Sequence, residues 1–174
     1  MSSLNENDFD TTLVCRFYNE PMEFRELSPY LARNGWIVME REFENDGVAV
    51  EYTAKSLDGL EMLFSVRNKK SFPDSKTVEN LFKTLLNCFW YVDVYHCFKN
   101  INVSTIAEKI GLSLETSKTS RLKLGRIEVS IQGYTSTGKL IISYRVGLRE
   151  VDDVKKIYSK LLYKILTLKG VKNE

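Results

Sequence analysis

Apolar and polar residues alternate at two different periods along this chain, and the switches between them mark out its elements. "TTLVCRFYN" alternates at period two and predicts a strand. "PMEFRELSPYLARNG" then places Phe24, Leu27, Tyr30 and Leu31 at helical spacing before Gly35, which predicts a helix over 22–34. Three further strand-like runs come next, "WIVMEREFE", "VAVEYTAKS" and "LEMLFSVRN". They are divided by Asn45-Asp46-Gly47 and by Asp58-Gly59, both hairpin-turn signals, so a three-strand meander is expected. "SKTVENLFKTLLNCF" closes the half with Val78, Leu81, Phe82, Leu85, Leu86 and Phe89 on one helical stripe.

The second half repeats this order. A shift of 79 residues carries Leu13 onto Val92, Cys15 onto Val94, Leu27 onto Ile106, Leu31 onto Ile110 and Val50 onto Val129. After one inserted residue, Leu60, Met62, Phe64 and Val66 fall on Leu140, Ile142, Tyr144 and Val146. Six elements in one order predict an α+β fold of two tandem β-α-β-β-β-α repeats forming a curved antiparallel sheet, with the helices on one side. The divisions are a flexible acidic N-terminus at 1–11, repeats at 12–90 and 91–168, and a C-terminal tail at 169–174.

One stretch admits a second reading. "VSTIAEKIGLSLETSKTSRLKLG", residues 103–125, has the spacing of a helix-turn-helix, with Ala107, Gly111 and Ser113 at helix, turn and cap positions. Against that, Ser117 and Ser120 stand where a second helix needs apolar anchors, and "ETSKTS" is a run of weak helix formers. The repeat makes the helix 102–111 equivalent to 22–34, and makes "TSKTSRLKLG" a strand.

The segment "STGKLIISYRVGLREVDDVKKIYSKLLYKI", within this duplicated order, resembles the last strand and long basic helix of the TATA-box-binding protein family. The resemblance implies one curved sheet, helices on its convex side and a concave side free for a ligand. It does not imply that family's mechanism, in which phenylalanines wedge between base steps against an apolar face. Here alternation sends Ile127, Val129, Ile131, Leu140, Ile142 and Tyr144 under the helices. Arg126, Glu128, Ser130, Gln132, Ser143 and Arg145 are left on the open face, and no phenylalanine occurs after Phe98. One strand per repeat is also missing relative to the family.

Composition, at 43% hydrophobic and 28% charged, is that of a globular chain rather than a disordered one. Charge changes the picture more. Residues 1–90 carry ten Lys/Arg against fifteen Asp/Glu (net −5), and residues 91–174 carry fifteen against eight (net +7). Lys118, Arg121, Lys123, Arg126, Lys139 and Arg145 come from three successive predicted strands, interleaved with Ser and Thr, a combination suited to phosphate backbones. The bland alternative is a solvated sheet face with charged residues that discourage edge pairing. A second basic run, Lys155, Lys156, Lys160 and Lys164, reads as the wet side of an amphipathic helix.

"NCFWYVDVYHCF" is the most aromatic stretch and lies where the halves join. It is expected as a central core strand rather than a base-stacking platform, or as a dimer or partner interface through Trp90, Tyr91 and Tyr95. His96, the single histidine, faces away from Asp93 in a strand and reads as a core or interface histidine rather than a base. Cys15, Cys88 and Cys97 have no metal-ligand spacing and sit in apolar runs, which reads as buried thiols of a reducing, intracellular compartment. No phosphate-cradling glycine loop is present. The expectation is therefore a non-enzymatic, transcription-related module with no cofactor and no metal, its partner DNA or RNA. The alternative is a protein-interaction adaptor of the same fold, with a homodimer possible for either. No apolar run is long enough to predict a membrane span.

Overall fold

In a computed structural model describing residues 8–68, 73–112 and 119–168, the chain is α+β, with one open antiparallel sheet of nine strands. The strands are β1 (Phe9–Arg16), β2 (Ile37–Val38), β3 (Glu42–Asn45), β4 (Val48–Lys55), β5 (Glu61–Asn68), β6 (Tyr91–Phe98), β7 (Thr119–Leu124), β8 (Ile127–Tyr134) and β9 (Lys139–Val146). Their order across the sheet is β2-β3-β4-β5-β1-β6-β9-β8-β7. The central pair, β1 and β6, is in register from Phe9↔Phe98 to Arg16↔Tyr91. Outward from it run β5, β4 and β3 on one side and β9, β8 and β7 on the other.

Alternation decides the layers. Leu13, Cys15, Met62, Phe64, Val92, Val94, Val129, Ile131, Leu140 and Ile142 all point to one face and are buried there. That face is covered by α1 (Phe24–Arg33), α2 (Ser75–Leu85), α3 (Val103–Lys109) and a C-terminal helix. The last begins as a tight turn at Val151–Asp153. It continues as α4 (Val154–Ile157), widens into a π-helical turn at Tyr158–Leu162 and ends as α5 (Tyr163–Thr167). Asp74 caps α2 by accepting from the Lys76 amide at 2.9 Å, and Asn102 caps α3 by accepting from the Thr105 amide at 3.1 Å.

Several expectations are corrected. "WIVMEREFE" is two short strands, not one. Met39, Glu40 and Arg41 reverse the chain so that Ile37 pairs with Glu44 and Val38 with Phe43, and the first half carries a four-strand succession in place of a three-strand meander. The cause is charge: Glu40-Arg41-Glu42 holds no apolar residue to keep a single strand on the core, while Phe43 is fully buried. The helix-turn-helix fails, because Thr119–Leu124 is the strand β7, paired with β8; residues 113–118 lie outside the described residues. β1 begins at Phe9, inside the stretch read as N-terminal tail.

The thiols divide. Cys15 is buried, but Cys88 and Cys97 are only half-buried, and Cys97 stands on the face away from the helices. All three are free. Burial pushes the Cys15 thiol well up from its ordinary value and the Cys88 thiol up to about 11. No helix among the described residues is long and apolar enough to cross a membrane.

Candidate nucleic-acid interface

The face of the sheet opposite the helices carries the exposed chemistry. The strand registers align one row across eight strands: Glu42, Glu51, Ser65, Thr12, Tyr95, Ser143, Ser130 and Arg121. None of them is buried, and the row runs from two carboxylates to a guanidinium. Like charges at Glu42 and Glu51 oppose each other directly, an unfavourable pair that Arg67 relieves with an ion pair to Glu42 at 3.0 Å. Along this row the carboxylates come from the first half of the sequence and the guanidinium from the second.

At the basic end lies a shallow depression of about 370 Å³, lined by Asp93, Tyr95, Arg121, Glu128, Ser130, Ser143 and Arg145. Arg145 of β9 grips Asp93 of β6 with two bonds, Nε to Oδ1 at 2.7 Å and Nη2 to Oδ2 at 3.1 Å. That grip stabilises the charged guanidinium further. Its plane lies 3.9 Å over the Tyr91 ring, a cation–π contact. Across the depression Arg121 pairs with Glu128 at 3.2 Å. The Arg121–Glu128 pair is water-exposed on both sides and orients its side chains more than it stabilises the fold, whereas Asp93 is mostly covered and its bidentate pair with Arg145 is the better shielded of the two.

The six basic candidates separate. Arg121 and Arg145 reach the depression. Lys123 on β7 and Lys139 at the start of β9 are exposed on the same face and form no ion pair with a described residue. Arg126 is not on that face. It occupies the β7–β8 turn after Gly125 (φ +62), and its amide donates to Asp153 Oδ2 of the helical layer at 2.9 Å. Strand parity was extended one residue too far, since the turn ends the alternation. Lys118 lies outside the described residues.

The aromatic candidates also come together. Trp90 is 55% exposed and packs against Tyr18 at 6.5 Å and against Tyr91 at 5.1 Å between ring centroids. Tyr95 is 41% exposed, on the row described above. His96 is on the opposite face and fully buried. Its Nδ1 lies 2.8 Å from Thr11 Oγ1 and its Nε2 lies 2.6 Å from the Tyr144 hydroxyl. Burial lowers its pKa to about 3, so it is neutral and occupied at both nitrogens.

Asp93 and Glu128, which neutralise two of the arginines, were not foreseen as their partners. Parity placed Glu128 on the open face, but which strand lies beside which is not written at period two. No protein-family model and no curated protein matches this chain.

Proposed function

We propose that the chain is a non-enzymatic, nucleic-acid-associated binding module with a transcription-related role, working through the uncovered face of its second half. The observation that carries this reading is the grouping of Arg121 and Lys123 of β7 with Arg145 of β9 on the uncovered face, with the hydroxyls of Tyr95, Ser130 and Ser143 among them, while Lys139 adds a further cation at the other end of β9. Cations supply affinity for a polyphosphate and hydroxyls fix its register. The mirror-like strand order about β1 and β6 supports a finer proposal, that residues 12–90 and 91–168 are two copies of one unit in a curved, TATA-box-binding-protein-like arrangement. The polar face argues that the ligand is not wedged open as in that family.

The test is binding of labelled mixed-sequence DNA and RNA at about 50 and about 200 mM salt. Neutralising two phosphates of a duplex predicts a loss of about tenfold over that range, and neutralising four a loss of about a hundredfold. No binding at the lower salt overturns the reading. A protein-interaction adaptor, with a second copy among its possible partners, then takes its place. In that case the exposed Tyr18–Trp90 pair, which suits a protein interface as well as a base, is where the partner would sit.

A further inference from the structure

We propose that the ligand of this face is a single-stranded nucleic acid, held by bases stacked on the exposed rings of Tyr18 and Trp90 and by one base against Tyr95 at the depression. This deepens, and rests on, the nucleic-acid reading above.

The rings form a continuous ladder. Tyr18 faces Trp90 at 6.5 Å, Trp90 meets Tyr91 at 5.1 Å, and Tyr91 carries the Arg145 guanidinium at 3.9 Å. Tyr18 and Trp90 are 53% and 55% exposed. These π surfaces begin at the end of the central strand pair and lead onto the open face at the rim of the depression. Bases of any sequence stack on such surfaces, but only when they are unpaired, because a duplex hides both faces of every base.

The depression itself argues the same way. Its two guanidinium groups are each shared with a carboxylate, Asp93 at 2.7 Å and Glu128 at 3.2 Å, so they meet a phosphate at the rim through their remaining N–H groups while the floor between them suits a base better. Its lining combines guanidinium, hydroxyl and carboxylate groups, and the carboxylates repel a phosphate while offering oxygens to the N–H groups of a base. At about 370 Å³, shallow and open, it offers a base one edge and one face rather than an enclosed pocket. Lys123, opposite Glu128 on β7, and Lys139, at the far end of β9, are exposed on the same face outside the depression and add positive charge for a backbone. No phenylalanine, leucine or methionine stands on the open face of β6, β8 or β9 to prise apart a duplex, and Ile141, the aliphatic residue there, is half-buried.

Trp90 is a built-in probe, since the other tryptophan, Trp36, is buried at 3% exposure. Oligothymidine, oligouridine and a mixed-sequence duplex of equal length are titrated into the whole chain at low salt, following tryptophan emission and anisotropy. Single strands are expected to bind more tightly than the duplex and to quench emission saturably, with the quench lost in Trp90→Phe. Tyr95→Ala should weaken single-strand binding by roughly five- to fiftyfold. Tyr95→Leu, which keeps the strand and removes the ring, should do the same if the alanine variant misfolds. A duplex bound as tightly as a single strand, or single-strand binding indifferent to Trp90 and Tyr95, overturns the inference and leaves the broader reading standing. Absence of binding to all three overturns both.

Discussion

Acid should destabilise this protein through one buried imidazole before it touches the carboxylates. His96 is 0% exposed, stacked on Phe9 at 5.9 Å and met edge-on by Tyr158 at 5.5 Å, with Thr11 and Tyr144 on its two nitrogens. Burial lowers its pKa from 6.5 to about 3. In that interval the unfolded chain binds a proton that the folded chain refuses, so stability rises with pH and falls as pH drops below 6.5. Each unit below 6.5 costs about 1.4 kcal/mol, hence about 2 kcal/mol between about pH 7 and about pH 5. Most carboxylates remain ionised over that window, and native stability is only about 5–15 kcal/mol, so the loss is measurable. Urea unfolding at both pH values should show it in the wild type and not in His96→Gln, whose side chain does not titrate. As the chain holds one histidine, its imidazole NMR signal is unique and should not move down to about pH 5. A signal titrating near 6.5 in the folded protein, or a wild-type stability that changes by less than about 0.5 kcal/mol, refutes the argument.

Three other sites give further expected outcomes. Gly125→Ala puts a side chain at φ +62 and a Cβ onto the Asp153 carboxylate that receives the Arg126 amide, so it should cost roughly 1–3 kcal/mol. At roughly 2–4 °C per kcal/mol, thermal melting will show it, and an unchanged melting temperature contradicts the β7–β8 turn geometry. Under native conditions a thiol reagent should modify Cys97 and Cys88 before Cys15, whose reaction should wait on unfolding; equal rates for all three would contradict the burial order. If a polyphosphate binds the open face, the pair Lys123→Glu and Lys139→Glu should weaken binding by roughly 1 kcal/mol per lost contact and flatten the salt slope by about one unit each. Arg126→Glu should change it far less, because Arg126 lies in the turn beside Asp153, and a larger effect for Arg126 would move the interface to the helical edge.

Strand and helix identities, and the face on which most residues lie, were legible locally. Val129, Ile131, Leu140, Ile142 and Tyr144 went under the helices as period two requires, and His96 went with them. The misreadings occur where alternation stops: at Arg126, which is in a turn, and at Glu40-Arg41-Glu42, where one apparent strand folds back on itself as β2 and β3. Cys97 sits in an apolar run, yet its parity puts it on the open face, half-buried.

By itself the sequence determined which side chains share a face, because alternation and turn chemistry act over a few residues and need no distant partner. Neighbourhood across the sheet was decided only by the tertiary structure. Asp93 and Arg145 are 52 residues apart, and they meet because β6 lies between β1 and β9; Arg121 meets Glu128 because β7 and β8 pair in one particular register. A register shift of one would keep every local signal and exchange those partners, and what excludes it is the burial of the whole apolar face under four helical segments at once.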